Sequence, residues 1–178
     1  MAKTVIKCNL SEESIRKAIQ DLKKYKQDLN RKIEVFTEKL AQAGERVALQ
    51  NIKESPLGKT VTLRTEEKNT DGVSRVVLIA TGEVKQSKDY PPFNTLLAIE
   101  FGAGIHYNPV PNPNADKFGL GVGTFPGQIH AYEDYWFYWD EKQQKWLPTH
   151  GVKATMPMYK ASMEIVEKVK DVAKEVFG

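Results

Sequence analysis

Cysteine is nearly absent: Cys8 is the only one in 178 residues. No intrachain disulfide can form, and a cysteine-based zinc site is excluded. The usage fits a chain made in a reducing cytoplasm. Histidine is scarce, at three. No apolar run approaches the ~18–20 residues of a membrane span, and the opening MAKTVIKCNLSEES lacks the apolar core of a secretory leader. Charge of one sign is lacking too: the net value of +3 calls for neither nucleic acid nor a membrane surface as partner. What remains is ordinary for a globular chain, 40% hydrophobic and 28% charged, and reads as a single domain over 1–178.

KTVIKC (3–8) reads as a short strand or an extended arm. A helical region follows over 11–54. Ser11 is a good N-cap, Glu12 and Glu13 oppose the helix dipole, and Leu10 with Ile15 fits a hydrophobic staple. Apolar residues recur in steps of three and four from Ile15 through Ile19, Leu22, Tyr25, Leu29, Ile33, Phe36, Leu40 and Ala43 to Val47. Pro56 must end the run. As one helix it would span roughly 60 Å, longer than a small domain is wide, so a break is expected at Gly44. The stripe has two readings: it faces the core for most of its length, or part of it overhangs the domain and packs on another subunit.

Strands are expected within 60–102: 60–68 and 74–82 joined at Asp71-Gly72, then TLLAIEFG at 95–102. A Gly/Pro-rich loop covers 103–129. An aromatic hairpin at 131–148 holds all three tryptophans, and an amphipathic helix over 156–177 starts at Pro157. The expected fold is α+β, an antiparallel β-sheet packed against a long N-terminal helix and a C-terminal helix.

Three scattered histidines, His106, His130 and His150, match no ligand spacing, even beside Glu133, Asp134 and Asp140. GLGVGT (119–124) lacks the Lys-Ser/Thr and the following helix of a phosphate cradle. Cys8 has no histidine partner nearby, and no G-x-S-x-G occurs. No catalytic, metal or cofactor-binding residue is therefore expected. In a strand, Tyr135, Phe137 and Trp139 share one face while Trp136 and Tyr138 share the other. A sugar platform needs one aromatic face; two suggest burial on both sides, one against the chain's own helices and one against a neighbour. A ligand-binding module built on the tryptophan hairpin, with cell-wall sugar as its ligand, and a small metal-dependent hydrolase are the competing readings.

The order of three motifs carries a resemblance. NIKESPLGKTVTLR (51–64) resembles the A-x-x-x-(A/S)-P-x-x-T-G-x-L segment of the HK97 gp10-like phage protein family. LLAIEFGAG (96–104) is similar to its Y-x-x-x-V-E-F-G-T signature, and THGVKATMPMYKASMEI (149–165) to its C-terminal G-x-x-x-x-P-F-M-x-x-A helix start. The order holds over nearly the whole chain. The resemblance implies a structural virion protein, not an enzyme: a neck or tail-completion subunit forming a ring, hexameric, at the head–tail junction, with DNA as cargo through the lumen. It implies other neck and tail proteins as partners (connector, stopper, terminator or tail tube), location in the virion after synthesis in the host cytoplasm, and no membrane. On that reading Trp136, Tyr138, Trp139, Trp146, Glu100, Phe101 and Gly102 are subunit-interface candidates. Tyr107, Phe118 and Phe125 are candidates on the docking loop.

Overall fold

A computed structural model describes residues 5–70, 72–86, 92–104, 112–118, 134–140 and 142–178. The fold is α+β. Its helices are α1 (Glu12–Glu54), α2 (Thr95–Phe101) and α3 (Pro157–Phe177). Its strands are β1 (Val61–Thr70), β2 (Val73–Gly82), β3 (Val84–Lys85), β4 (Phe93–Asn94), β5 (Trp136–Asp140) and β6 (Lys145–Thr149). Instead of one sheet, the described strands form three antiparallel pairs, β1–β2, β3–β4 and β5–β6.

The helix α1 starts as its sequence dictates. Ser11 accepts the Ser14 N–H at 3.3 Å, satisfying one of the orphan donors of the first turn. The staple does not form, since Leu10 is 97% exposed. The Asn9 side chain instead accepts from both the N–H and the hydroxyl of Ser11 and turns the incoming chain outward. Residues 5–9 carry no regular structure, so over these residues KTVIKC is an arm rather than a strand.

The expected break at Gly44 is absent: α1 runs unbroken for 43 residues, about 64 Å long. Gly44 is there because α3 crosses it. A Cβ at Gly44 would lie 2.6 Å from the Ile165 Cδ1. The two helices are antiparallel. Lys160 donates to Asn51 at 2.6 Å, Lys39 to Glu175 at 2.7 Å, and the Phe36 and Phe177 rings sit 5.6 Å apart. Gly44→Leu is expected to cost about 1–3 kcal/mol through overpacking. Gly44→Ala should be near neutral, because the end of Ile165 can rotate and alanine gains about 1 kcal/mol of helix propensity. Urea denaturation of both variants checks this.

The β1–β2 hairpin lies on the other flank of α1. Its register pairs Val61 with Gly82 and Thr70 with Val73, so two residues of sequence separate the strands. The strands run from the core, where Val61 packs with Ile52 and Ile99, back to Ser74, whose hydroxyl meets that of Thr37 at 2.7 Å. Both flanking elements thus end part-way along α1. No residue from Glu12 to Asp28 is buried, and Ile15, Ile19, Leu22 and Tyr25 are all more than 40% exposed.

TLLAIEFG is a helix and a turn, not a strand. Asn94 caps it, its side-chain oxygen accepting from the Leu96 and Leu97 N–H groups at 2.9 and 3.3 Å. With that cap, Leu96, Leu97, Ala98 and Glu100 follow their own helix propensity. Thr95, Ala98 and Ile99 reach the core at a spacing of three and four. Gly102 ends the helix at a φ of 81°.

Candidate functional site

Two stretches some fifty residues apart close on each other. One is the end of α2, Glu100-Phe101-Gly102-Ala103-Gly104; the other is Gly151 to Tyr159, which leads into α3. The α3 start has no local cap: its N-cap residue, Met156, offers no side-chain oxygen and sits at a φ of 54°. Glu100 supplies the cap from across the chain. One carboxylate oxygen accepts the Met158 N–H at 2.9 Å, and the other accepts the Tyr159 N–H at 3.0 Å. Asn112 donates to the second oxygen at 2.8 Å. The Ile99 carbonyl accepts from the Thr155 and Met156 N–H groups. Ala103 and Val152 exchange two backbone hydrogen bonds of 2.8 Å.

Burial pushes the Glu100 carboxyl above the ordinary carboxylate range. The two helix N–H groups, Asn112 and, more weakly, the Lys160 charge pull the other way. A carboxylate in this position suits the positive end of α3. Its oxygens are occupied by the chain's own donors, so Glu100 is a structural cap rather than a proton-transfer group.

Of the expected interface residues, Glu100, Phe101 and Gly102 lie inside the chain. Phe101 is 6% exposed, packing on Ala115 and, at 5.7 Å between rings, on Phe118. These three form a joint between α2 and α3 instead of a surface. Phe118 remains mostly exposed. Tyr107 and Phe125 lie outside the described residues, as do His106, His130, Glu133 and the 119–124 glycines.

The aromatic hairpin forms as the alternation predicts, with Trp139 directly opposite Trp146 and Trp136 opposite Thr149. Trp136 is half-buried, its indole edge beside Gly104. The opposite face is open: Tyr135, Phe137, Trp139 and Trp146 are between 44% and 64% exposed. Tyr138, on the Trp136 face, is open as well, so the expected burial of one face against the chain's own helices is met only in part, at Trp136. The Trp139 and Trp146 rings meet edge to face, 5.7 Å apart at 67°, a favoured arrangement worth ~0.5–1.5 kcal/mol beyond burial. That tilt also denies them a common plane, so the pair does not make a flat stacking platform.

His150 is bound to the Asp134 carbonyl through Nδ1 at 2.8 Å. Among the described residues no three His, Cys, Asp or Glu side chains converge as a metal site. A groove of about 300 Å³ beside the end of α3 is lined by Arg31, Lys32, Val35, Lys39, Glu175 and Val176. Its carboxylate is already paired with Lys39. No described helix is long and apolar enough to cross a membrane.

The α2–α3 joint escaped sequence reasoning because its halves are far apart in the chain; the one local signal was a helix start at Pro157 with Met156, not Ser, Thr, Asp or Asn, at the N-cap position. No protein-family model, curated protein or solved structure matches this chain.

Proposed function

We propose that the chain is a structural subunit of a tailed phage, prophage or phage-tail-like particle, forming a neck or tail-completion ring around the DNA channel. The observation that carries the reading is the joint. Two of the three stretches that resemble the HK97 gp10-like family, Glu100-Phe101-Gly102 and the run from Gly151 to Pro157, are the two halves of one contact, so their joint occurrence has a physical reason. The chain also leaves two apolar surfaces open, the outer face of the β5–β6 hairpin and the first half of α1. Ring subunits need two different surfaces that fit each other on neighbouring copies. Interleaved lysines and carboxylates suit a conduit that lets DNA pass without gripping it.

Light scattering and electron microscopy of the purified chain, alone and with a tail-tube or connector protein, test this. A closed ring is the expected result. Replacing Trp139 and Trp146 together with serine should leave the helical circular-dichroism signal in place. It should weaken ring assembly at least tenfold, as expected when two central aromatic anchors are lost from an interface. Rings unchanged by the double substitution would remove the hairpin from the interface. A stable monomer whose tryptophan fluorescence shifts with oligosaccharide would favour the ligand-binding reading instead.

A further inference from the structure

The β1–β2 sheet is composed as though a third strand lay beyond β2. Along β1, Arg64, Glu66, Glu67 and Lys68 interrupt the apolar pattern, the composition of a guarded sheet edge. Along β2 runs Val76-Val77-Leu78-Ile79-Ala80, apolar on both faces and partly buried throughout, the composition of an interior strand. Yet among the described residues β2 pairs only with β1. Alternate residues along the ten of β2 turn their N–H and C=O groups to an outer edge where no described strand lies.

The chain carries a segment of matching length and character. Val5, Ile6, Lys7 and Cys8 precede α1 with no regular structure, and Val5 is 68% exposed. Adjacent β-branched residues would place one apolar side chain on each face of an added strand. This arm cannot reach its own sheet. The start of β2 lies beside Asn30, Ile33 and Glu34, about 28 Å along an unbroken helix from Ser11. Six extended residues from Ser11 back to Val5 span at most ~21 Å. The projecting half of α1 therefore holds the arm away from its own β2 and toward that of another molecule.

We infer that Val5–Cys8 of one copy adds as a third strand to the outer edge of β2 in a second copy. The main-chain ladder supplies the affinity, and Val5 and Ile6 join the two apolar faces of β2. The exposed Ile15, Ile19, Leu22 and Tyr25 stripe would lie between the two copies. The contact joins two different surfaces and, repeated head-to-tail, deepens the ring reading by naming one of its contacts, although it requires only self-association.

Deletion of residues 3–8 tests the inference, since Asn9 and Ser11 stay to cap α1. The full chain should be oligomeric by light scattering, with amide hydrogen exchange slowed across Val76–Ala80. The deletion should shift the mass toward monomer and speed that exchange at least tenfold, with the helical circular-dichroism signal at low temperature kept. Val5→Pro and Ile6→Pro, made singly, keep the arm's length. Alternate N–H groups of an added strand face its partner, so one of the two variants should reproduce the deletion.

Unchanged mass and exchange in the deletion overturn the inference while leaving any ring seen by microscopy standing. A monomeric full chain with slow Val76–Ala80 exchange overturns it too, because the edge is then covered from within. A monomer with fast exchange overturns it outright. Arm-dependent oligomers that never close into a ring would keep the arm contact and remove the ring.

Discussion

Glu100→Ala is expected to lower the unfolding free energy by about 2–4 kcal/mol. The substitution strands three donors at once: the Met158 and Tyr159 N–H groups at the α3 start and the Asn112 side-chain amide. Buried donors left unpaired cost ~1–3 kcal/mol each, less whatever water recovers. Removing a carboxylate that burial already penalises offsets part of the loss. Urea denaturation gives the number, and circular dichroism should show the first turns of α3 loosening. Glu100→Gln discriminates shape from charge. Every contact to Glu100 is an N–H donor, so an amide NH2 placed there must oppose one of them, at a cost of about 1–2 kcal/mol.

The same pair of proteins carries a pH signature. The folded carboxyl of Glu100 titrates above its unfolded value, chiefly from burial. The folded state therefore holds this proton more tightly. The contribution of Glu100 to stability is fullest below the unfolded pKa and is lost as pH rises through the folded one. Glu100→Gln has no titrating group and should lose this slope, seen as the difference between the two stability–pH curves.

Gly151→Ala is expected to cost about 3–4 kcal/mol. Gly151 has a φ of +100°, and a Cβ there would stand 1.9 Å from the Ala103 carbonyl oxygen. The obstacle is backbone, so no rotamer change relieves it. The chain must part at the Ala103–Val152 bridge, giving up two 2.8 Å hydrogen bonds at ~1 kcal/mol each. A residue with a Cβ adds ~1–2 kcal/mol in that backbone region. Chemical denaturation measures the loss, and near-ultraviolet circular dichroism should report the disturbed Trp136 ring beside Gly104. Gly72→Asn is the control: φ is +78°, but nothing lies within 4 Å of its Cβ position, and asparagine tolerates such turns. It should cost well under 1 kcal/mol.

Local chemistry was readable wherever it alone decides structure. Ser11 capped α1, Pro56 stopped it, Asp71-Gly72 joined two strands, and Pro157 opened α3. The misreadings have tertiary or competing causes. Gly44 looks like a helix break until α3 is seen crossing it. The run TLLAIEFG suits strand or helix by composition, and the deciding Asn94 cap stands just outside it. Leu10 satisfied the staple spacing, but Asn9 turned the chain away. Of the candidate site, the alternating aromatics gave the hairpin, whereas the burial expected of one face within the chain reaches only Trp136. Glu100, Phe101 and Gly102 were subunit-interface candidates by resemblance, and their partners within the chain, Asn112, Ala115 and the α3 start, come later in the sequence. No periodicity links residues so far apart.

The projecting half of α1 has a thermal consequence. A short isolated helix is limited by nucleation, but this one grows from a turn already held by α3 and the β1–β2 hairpin. Each further residue toward Glu12 adds only a propagation step, near zero in free energy at moderate temperature. On warming, the free chain should therefore lose helix gradually from Glu12 inward while its packed remainder still melts in one step. The point where fraying stops reports how much of α1 the rest of the molecule holds. A copy docked on the stripe would move that point outward.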